Sequence, residues 1–289
     1  IVKFQKFLKQ KNNTYNFKLV FDVMRHRGPD KTGIAQHENV ILGTHRLKIQ
    51  DLSSLGDQPM TEPQNRYTII FNGEIYNHFD IRKKLKLYGV QFVGNSDTET
   101  VLLGYIQFGQ SIVNMLNGIF AFAIYDKLEH KLFAARDQMG VKPFYIYQKD
   151  QHFAFSSEIK SLIYLDYFDK TINHKALVNY LHFLWSPGEI TPFQYVNKLL
   201  PGECFTIDTQ NVSTFKKWKY FDIPFNGSRE IYHPKLWLET VDEQIKKSVQ
   251  SQLLSDVPVG FFLSGGIDSS VLVAEARRNG INDEINCFT

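Results

Sequence analysis

The hydrophobic positions in the first two hundred residues fall mainly into short runs that polar turns separate. Such runs, and short stretches in which apolar and polar positions alternate, are typical of β-strands. The run LNGIFAFAIYD is followed by the polar segment 127–130 and a second apolar run, which predicts two buried strands joined by a turn. Strands are predicted in this way at residues 1–7, 33–36, 40–45, 67–71, 116–126, 131–136, 144–147, 152–156 and 203–207.

Other segments carry apolar residues at helical spacing. Ile81, Leu85 and Tyr88 lie three or four positions apart, and Ser96 and Glu99 have the spacing of a capping box. Helices are predicted at residues 17–24, 81–88, 96–106, 158–165, 175–183 and 234–254, the third with an apolar face of Val101, Leu102, Tyr105 and Ile106. Strands and helices together predict an α+β fold for the first two hundred residues.

Composition sets limits on size and partners. The 289 residues suggest about two domains, and 43% hydrophobic residues suffice for a core in each. The 33 basic and 30 acidic residues give a formal net charge of +3 without a long block of one sign, which argues against attraction to nucleic acid or membranes. The two cysteines lack disulfide or metal-site spacing, and no apolar run reaches roughly 18 residues, so a cytoplasmic protein is expected.

The segment VGFFLSGGIDSS, residues 259–270, is the first candidate site. A short apolar run leads through Ser264, Gly265 and Gly266 into helical spacing, which predicts a strand, a tight loop and a helix. Glycines let the backbone approach a ligand, and a helix N-terminus attracts anions, so a phosphate would fit in this loop. The segment is not a Walker motif, because GxxxxGK[ST] does not occur in the chain. The alternative is a turn that happens to be rich in Gly and Ser.

Asn72 and Gly73 form a second candidate site. Asn-Gly after a strand often marks a hairpin turn, but here helical spacing follows. The pair is therefore predicted at a strand-to-helix junction, where a backbone N–H and an amide side chain can both face a ligand. Asp97 opens the next predicted helix, and helix capping is the alternative to a binding role.

Six motifs, taken in chain order, resemble those of glutamine-dependent asparagine synthetases. They are RHRGPD at 25–30, Arg46-Leu47, NGEIYN at 72–77, Ser96-Asp97, RDxxGVKP at 136–143 and SGGIDSS at 264–270. The resemblance implies a class II glutamine amidotransferase domain at residues 1–224, with the α+β four-layer αββα sandwich of N-terminal-nucleophile hydrolases. It implies that residues 230–289 begin an α/β parallel-sheet ATP-pyrophosphatase domain, which this chain would contain in truncated form.

The resemblance also implies roles for individual residues. Arg46 would bind the α-carboxylate of glutamine, Asp97 and Glu74 its ammonium group, and Asn72 and Gly73 would form the oxyanion hole. The implied glutamine-binding set is Arg46, Leu47, Ile49, Gln50, Asn72, Gly73, Glu74 and Asp97. ATP would bind at Leu263, Ser264, Gly265, Gly266, Asp268, Ser269 and Ser270, with Mg²⁺ at Asp268.

In the family that this sequence resembles, the nucleophile is a cysteine at the mature N-terminus, whose own α-amino group accepts the thiol proton. The sequence begins with Ile1, so this cysteine is expected upstream of Ile1 and is absent from the sequence. An inactive glutaminase is the alternative. Cys204 and Cys287 are both expected to be small core residues.

The activity implied by the resemblance is the ATP-dependent amidation of aspartate to asparagine with ammonia from glutamine hydrolysis, which releases AMP and pyrophosphate. Glutamine, aspartate and ATP are the expected partners, nucleic acid and membranes are not, and a homodimer is left open.

Three alternatives to this activity are left open by the sequence. The first is a related amidotransferase with another acceptor, for example in surface polysaccharide synthesis. The second is a purine or aminosugar amidotransferase, which SGGIDSS disfavours, and the third is an inactive fragment used for binding or regulation.

Overall fold

A computed structural model describes residues 2–3, 14–223, 225, 233–280 and 285–289 of the chain. The chain forms two compact units. The first consists of Ile1–Lys48 and Ser53–Asp222, and the second of Ile49–Leu52 and Ile223–Thr289. In the described part of the chain, no helix has both the length and the apolar character needed to cross a bilayer.

Fourteen strands occur in the described residues, and most coincide with the predicted apolar runs. They are β1 (Val2–Lys3), β2 (Lys31–Gln36), β3 (Ile41–Arg46), β4 (Met60–Thr61), β5 (Tyr67–Ile75), β6 (Gly118–Asp126), β7 (Lys131–Arg136), β8 (Tyr145–Lys149), β9 (His152–Ser156), β10 (Val196–Lys198), β11 (Glu203–Asp208), β12 (Asn211–Lys219), β13 (Gly260–Phe262) and β14 (Asn286–Phe288).

Seven α-helices accompany these strands within the described residues. They are α1 (Thr14–Asp22), α2 (His78–Leu87), α3 (Asp97–Phe108), α4 (Ile159–Leu162), α5 (His174–Phe183), α6 (Pro234–Gln252) and α7 (Ile267–Arg278), with 3₁₀ turns at Arg25–Arg27, Ser54–Gly56 and Gly109–Asn114.

Two antiparallel sheets lie face to face in the first unit. The larger has the order β12-β11-β7-β6-β5-β4, and the smaller has the order β1-β9-β8-β10. Apolar side chains from both sheets share one buried cluster, in which Phe205 of β11 stacks edge-on against Phe144 and Phe153. Burial of this apolar area between the sheets is the main stabilising contribution to such a sandwich.

Helices cover the outer face of each sheet. Ile81 of α2 and Leu102 of α3 pack in one cluster with Phe120 and Phe122 of β6. Phe21 of α1 and residues around α4 pack in another cluster with side chains of β8 and β9. The order helix, sheet, sheet, helix confirms the predicted four-layer αββα sandwich.

The second unit contains a short parallel pair, β13 and β14, with α7 between them in the chain. A strand, helix and parallel strand is the repeating element of α/β domains, so the described part of this unit agrees with the predicted class. Residues 225–230, where Asn-Gly-Ser predicts a linker between the two domains, lie outside the described residues except for Phe225.

Several predicted boundaries are wrong in informative ways. The predicted strand 67–71 continues to Ile75, because residues 72–75 of β5 pair in register with β6. Asn72 and Gly73 therefore lie inside a strand and not at a strand-to-helix junction. The helix predicted at 17–24 ends at Asp22, and a 3₁₀ turn follows at Arg25–Arg27. Of the strand predicted at 1–7, Val2–Lys3 form β1 and the other residues lie outside the described part of the chain.

Two predictions about burial are also wrong. Ile106 was expected on the apolar face of α3, but it is 41% exposed because that helix packs through Val101 and Leu102. Cys287 was expected in a core, but it is exposed on β14. Cys204, by contrast, is fully buried as predicted.

Candidate active site

Asn72 and Gly73 lie near the end of β5, opposite Ala121 and Phe120 of β6. A side chain at position 73 is excluded, because a Cβ atom there would lie 2.1 Å from the carbonyl oxygen of Ile119. The Asn72 amide is half-buried, and its Nδ2 donates to Ser157 Oγ at 3.4 Å. The close packing of the two strands fixes where the Asn72 side chain and the Gly73 backbone can be.

Asp97 occupies the first turn of α3 and is 5% exposed. Its Oδ2 accepts a hydrogen bond from the backbone N–H of Ile75 at 2.9 Å, which joins α3 to the end of β5. Ser96, not Asp97, caps the helix, since the Ser96 hydroxyl accepts from the N–H of Glu99. Burial raises the pKa of Asp97 to about 6, although hydrogen bonds and the charge of Arg46 oppose the shift. Capping therefore does not explain why an acid is buried at this position.

Arg46 ends β3 and is buried. Its Nη1 donates to Asp57 Oδ1 at 2.9 Å and to the carbonyl oxygen of Ser53 at 3.2 Å. Lys31 and Lys48 also place their Nζ atoms 3.8 and 3.9 Å from the Asp57 carboxylate. Three cations around one acid leave local positive charge, which favours an anionic ligand.

The motif at 25–30 supports the end of β3. Gly28 packs so closely that a Cβ atom would lie 2.2 Å from the carbonyl oxygen of His45. Asp30 accepts from the N–H of Lys48 at 2.9 Å and donates its own N–H to the carbonyl oxygen of Arg46 at 3.2 Å. This motif therefore holds the backbone on both sides of Arg46.

The motif at 136–143 builds a loop next to Glu74. The Asp137 carboxylate accepts backbone N–H groups from Val141 and Lys142, while Arg136 donates to the carbonyl oxygen of Lys142. Burial lowers the pKa of Lys142, and the negative charge of Glu74 opposes that shift. The motif thus brings a cation close to half-buried Glu74.

The remaining residues of the predicted glutamine set lie directly after β3. Leu47 is 53% exposed, whereas Gln50 is buried. Ile49 and Gln50 belong to the second unit, and Arg46, Asn72, Gly73, Glu74 and Asp97 all belong to the first. Within the first unit, β3 and α3 both contact β5, which brings these five residues onto neighbouring elements.

Two known protein families match parts of this chain. The glutamine amidotransferase domain family matches residues 3–220, about three quarters of the chain. The chain belongs to the glutamine amidotransferase domain family. A second family, asparagine synthase, matches residues 240–289, the region that contains the Gly/Ser-rich loop.

Curated relatives carry both regions in longer chains. Asparagine synthetase [glutamine-hydrolyzing] 1 of Bacillus subtilis is 40% identical over 88% of this chain and 39% of its own length. Putative asparagine synthetase [glutamine-hydrolyzing] 2 of Methanocaldococcus jannaschii is 34% identical over 96% of this chain and 56% of its own length. Among solved structures, the B. subtilis glutamine PRPP amidotransferase in complex with ADP and GMP is 17% identical with a TM-score of 0.44, covering 86% of this chain and 51% of that one. The chain therefore spans about half the length of these relatives.

The Gly/Ser-rich loop of the second unit has the predicted strand, loop and helix geometry. β13 leads to Gly266, which caps α7. Ser264, Gly265, Gly266 and Asp268 are exposed, so no side chain among the described residues covers the loop. The hydroxyls of Ser269 and Ser270 donate to the carbonyl oxygen of Gly266 at 3.1 and 2.8 Å, which orders the first turn. The N-terminus of α7 is therefore open to an anion.

Asp268 is the single predicted metal ligand. Among the described residues, no group of three or more His, Cys, Asp or Glu side chains is placed to hold a metal ion. Mg²⁺ commonly binds through one or two carboxylates together with substrate phosphates and water. An exposed Asp268 beside the Gly/Ser-rich loop fits that mode, but it does not fit a site formed by protein ligands alone.

Neither cysteine is placed as a nucleophile of this site. Burial raises the pKa of Cys204 to about 12, so its thiol stays protonated at neutral pH. Cys287 belongs to the second unit, whereas Asn72, Gly73 and Asp97 belong to the first.

Glu158 and Asp57 are site neighbours that the sequence did not reveal. Burial would raise the pKa of Glu158, but hydrogen bonds from Lys160, Arg27 and His26 outweigh it and lower the pKa to about 2. Glu158 begins a predicted helix and Asp57 lies in no periodic pattern, but neither position indicates a partner, because Arg27 and Arg46 are 131 and 11 positions away. Only the folded chain shows these pairs.

Proposed function

We propose that the first unit binds glutamine and hydrolyses its side-chain amide to give glutamate and ammonia. The observation that carries the proposal is Asp97, a buried acid next to the end of β5 and within reach of the positive charge of Arg46. An amino acid needs one anionic and one cationic partner for its α-groups. Arg46 would take the α-carboxylate, and Asp97 with Glu74 would take the ammonium group.

The end of β5 would stabilise the transition state. Attack on the amide carbon creates a negatively charged oxygen, and the Gly73 N–H and Asn72 Nδ2 would donate to it. The attack is assigned to the N-terminal cysteine that the family resemblance implies, not to Cys204 or Cys287. The thiol proton would pass to the α-amino group and then to the amide nitrogen, which leaves as ammonia and leaves a thioester on the cysteine. Water would then hydrolyse the thioester to release glutamate and restore the thiol.

For the second unit, we propose that residues 263–270 bind the phosphates of ATP, with Mg²⁺ held between Asp268 and those phosphates. The match of residues 240–289 to the asparagine synthase family and the names of the relatives support this proposal. Aspartate would react with ATP to give an aspartyl adenylate and pyrophosphate, and ammonia would then displace AMP to give asparagine. AMP is a good leaving group, whereas a free carboxylate is a poor electrophile.

Titration calorimetry of the chain with L-glutamine tests the first half of the proposal, since binding needs no nucleophile. The wild-type chain should bind L-glutamine, and Arg46→Met should weaken binding by about 10- to 100-fold, because a charged hydrogen-bonding partner is lost. Lys83→Met, which removes an exposed positive charge on α2, should leave binding unchanged. A wild-type chain that does not bind L-glutamine would contradict the proposal.

Mass spectrometry tests the acceptor. The full-length protein, with a complete synthetase domain, is supplied with ammonium, ATP, Mg²⁺ and a panel of aspartate, sugar-linked acids and other carboxylates, since the truncated chain is expected to be inactive. Amidated aspartate and pyrophosphate are expected, and both should be lost in Asp268→Ala. Amidation of another carboxylate in place of aspartate would move the assignment to a related amidotransferase.

A further inference from the structure

We propose that Gln58 is a positioning residue of the candidate glutamine site, and that it orients the Thr98 hydroxyl toward Asp97. The proposal rests on the proposed function of that site. Gln58 would not touch glutamine itself. It would act on the three chain segments that do.

The side chain of Gln58 is 9% exposed and bonds to two elements at once. Its Oε1 accepts from the backbone N–H of Phe71 at 2.8 Å, and its Nε2 donates to Thr98 Oγ1 at 3.1 Å. Its backbone carbonyl oxygen accepts from Thr44 Oγ1 at 3.2 Å.

Each of these three contacts is next to a proposed glutamine ligand. Phe71 directly precedes Asn72 on β5, and Thr98 directly follows Asp97 on α3. Thr44 lies two residues before Arg46 on β3. The side-chain amide of Gln58 therefore joins the segments that carry the oxyanion donor and the ammonium ligand, and its backbone carbonyl oxygen contacts the segment that carries the carboxylate ligand.

The direction of the hydrogen bonds follows from their chemistry. The Phe71 N–H can only donate, so the oxygen of the Gln58 amide must face it and the NH₂ group must face Thr98. The Thr98 hydroxyl accepts from that NH₂ group, which leaves its own proton for another acceptor. Asp97 Oδ1 lies 3.5 Å from Thr98 Oγ1 and takes this role. Gln58 thus selects the hydroxyl orientation that stabilises an ionised Asp97.

The backbone around Gln58 leaves it little freedom to shift. A Cβ atom at Gly33 would lie 1.9 Å from the carbonyl oxygen of Gln58, so β2 packs directly against this residue. The charged groups on the elements around Asp97 are Arg46 on β3, Glu74 on β5, and the Arg82–Glu99 pair on α2 and α3. Of these, Arg46 acts on Asp97 and favours its ionised form.

Thr98→Val and Thr98→Ser form a matched pair that tests the hydroxyl, and Gln58→Met tests the amide. The Kd for L-glutamine is measured by calorimetry from about pH 5 to pH 8, with the unfolding midpoint of each variant as a control for folding. Thr98→Val and Gln58→Met should raise the Kd by about 3- to 10-fold at neutral pH, as expected for one long hydrogen bond to a charged group. Binding in these variants should also begin to weaken at a higher pH than in the wild type, because Asp97 is protonated more easily. Thr98→Ser should keep the wild-type Kd within about threefold.

The outcomes separate a positioning role from a structural one. If the unfolding midpoint falls while the Kd and its pH profile stay at wild-type values, the proposal is overturned and Gln58 serves stability alone. Thr98→Val decides the matter if Gln58→Met does not fold. A wild-type chain that fails to bind L-glutamine overturns the proposed function and this inference together, whereas wild-type binding with unchanged Thr98→Val binding overturns this inference only.

Discussion

At the scale of single residues, the buried carboxylate of Asp97 should lower the free energy of unfolding at neutral pH, although it is proposed to bind the ligand. Its pKa is about 6 in the folded chain against an ordinary value of 3.8. Because the folded state holds the proton more tightly, the ionisation of Asp97 disfavours folding as the pH rises from about 4 through 6. At neutral pH this penalty is on the order of 1–3 kcal/mol. Asp97→Asn should therefore raise the free energy of unfolding at pH 7 and remove glutamine binding.

Chemical denaturation at pH 4 and pH 7 checks this prediction. The stability gain of Asp97→Asn should be present at pH 7 and small at pH 4, where wild-type Asp97 is protonated. Asp80→Asn is the matched control, since the Asp80 side chain is 70% exposed and pairs only with exposed Lys83 among the contacts described. If Asp97→Asn instead lowers the free energy of unfolding at pH 7, the charge of Asp97 is fully compensated by its partners in the folded chain.

Which residues form the site was partly predictable at this scale. The types and order of Arg46, Asn72 and Asp97 suggested an amino-acid site through resemblance, and their roles stay predictions. The partners Asp57 and Gln58 were not predictable, because their contacts depend on how the loop between β3 and β4 folds back. A polar residue in such a loop looks the same in the sequence whether it is solvated or buried.

At the scale of elements, the β5–β6 pair holds the proposed oxyanion hole. Gly73→Ala should lower the free energy of unfolding by about 2–4 kcal/mol and remove glutamine binding, because the new methyl group would meet the backbone of Ile119 at 2.1 Å. Gly89→Ala is the control, since Gly89 also has positive φ but has no atom within 4 Å of a Cβ. It should cost about 1 kcal/mol and keep binding intact. Similar losses of stability in both variants would show that the positive φ angle, and not the clash with Ile119, causes the destabilisation.

The spacing of hydrophobic residues along the chain predicted most strands and helices of the first unit, but it did not predict the end of β5. Asn-Gly is typical of turns, yet residues 72–75 keep their ladder hydrogen bonds because β6 runs alongside them to Gly118. Tertiary pairing thus overrides the local turn preference. β12 was missed because its nine residues include three lysines and expose most of their side chains. β4 and β10 have two and three residues, too few to show a period.

At the scale of the whole molecule, the αββα layering was expected from the resemblance and not from the pattern alone. Periodicity gave an α+β composition, which several architectures share. The order of the motifs along the chain, through the resemblance, then indicated one of these architectures, the αββα sandwich. The three apolar clusters then show why the order is stable, since each lies between two successive layers.

The two units should differ in their capacity to fold alone. The first unit buries three apolar clusters and contains Arg46, Asn72, Gly73 and Asp97. A chain of residues 1–222 should therefore unfold cooperatively and bind L-glutamine within about threefold of the full chain. In residues 233–280 and 285–289, by contrast, the buried side chains are Val249, Glu275 and Ala276.

So small a core cannot offset the conformational entropy of ordering more than fifty residues. Large apolar side chains of this unit are instead exposed, including Phe262 at 87% and Ile267 at 82%. A peptide of residues 223–289 should accordingly show a broad, non-cooperative thermal transition by circular dichroism. A sharp transition in that peptide would contradict the prediction. Loss of glutamine binding in chain 1–222, with its cooperative unfolding intact, would contradict the prediction as well, because it would show that binding depends on residues 223–289.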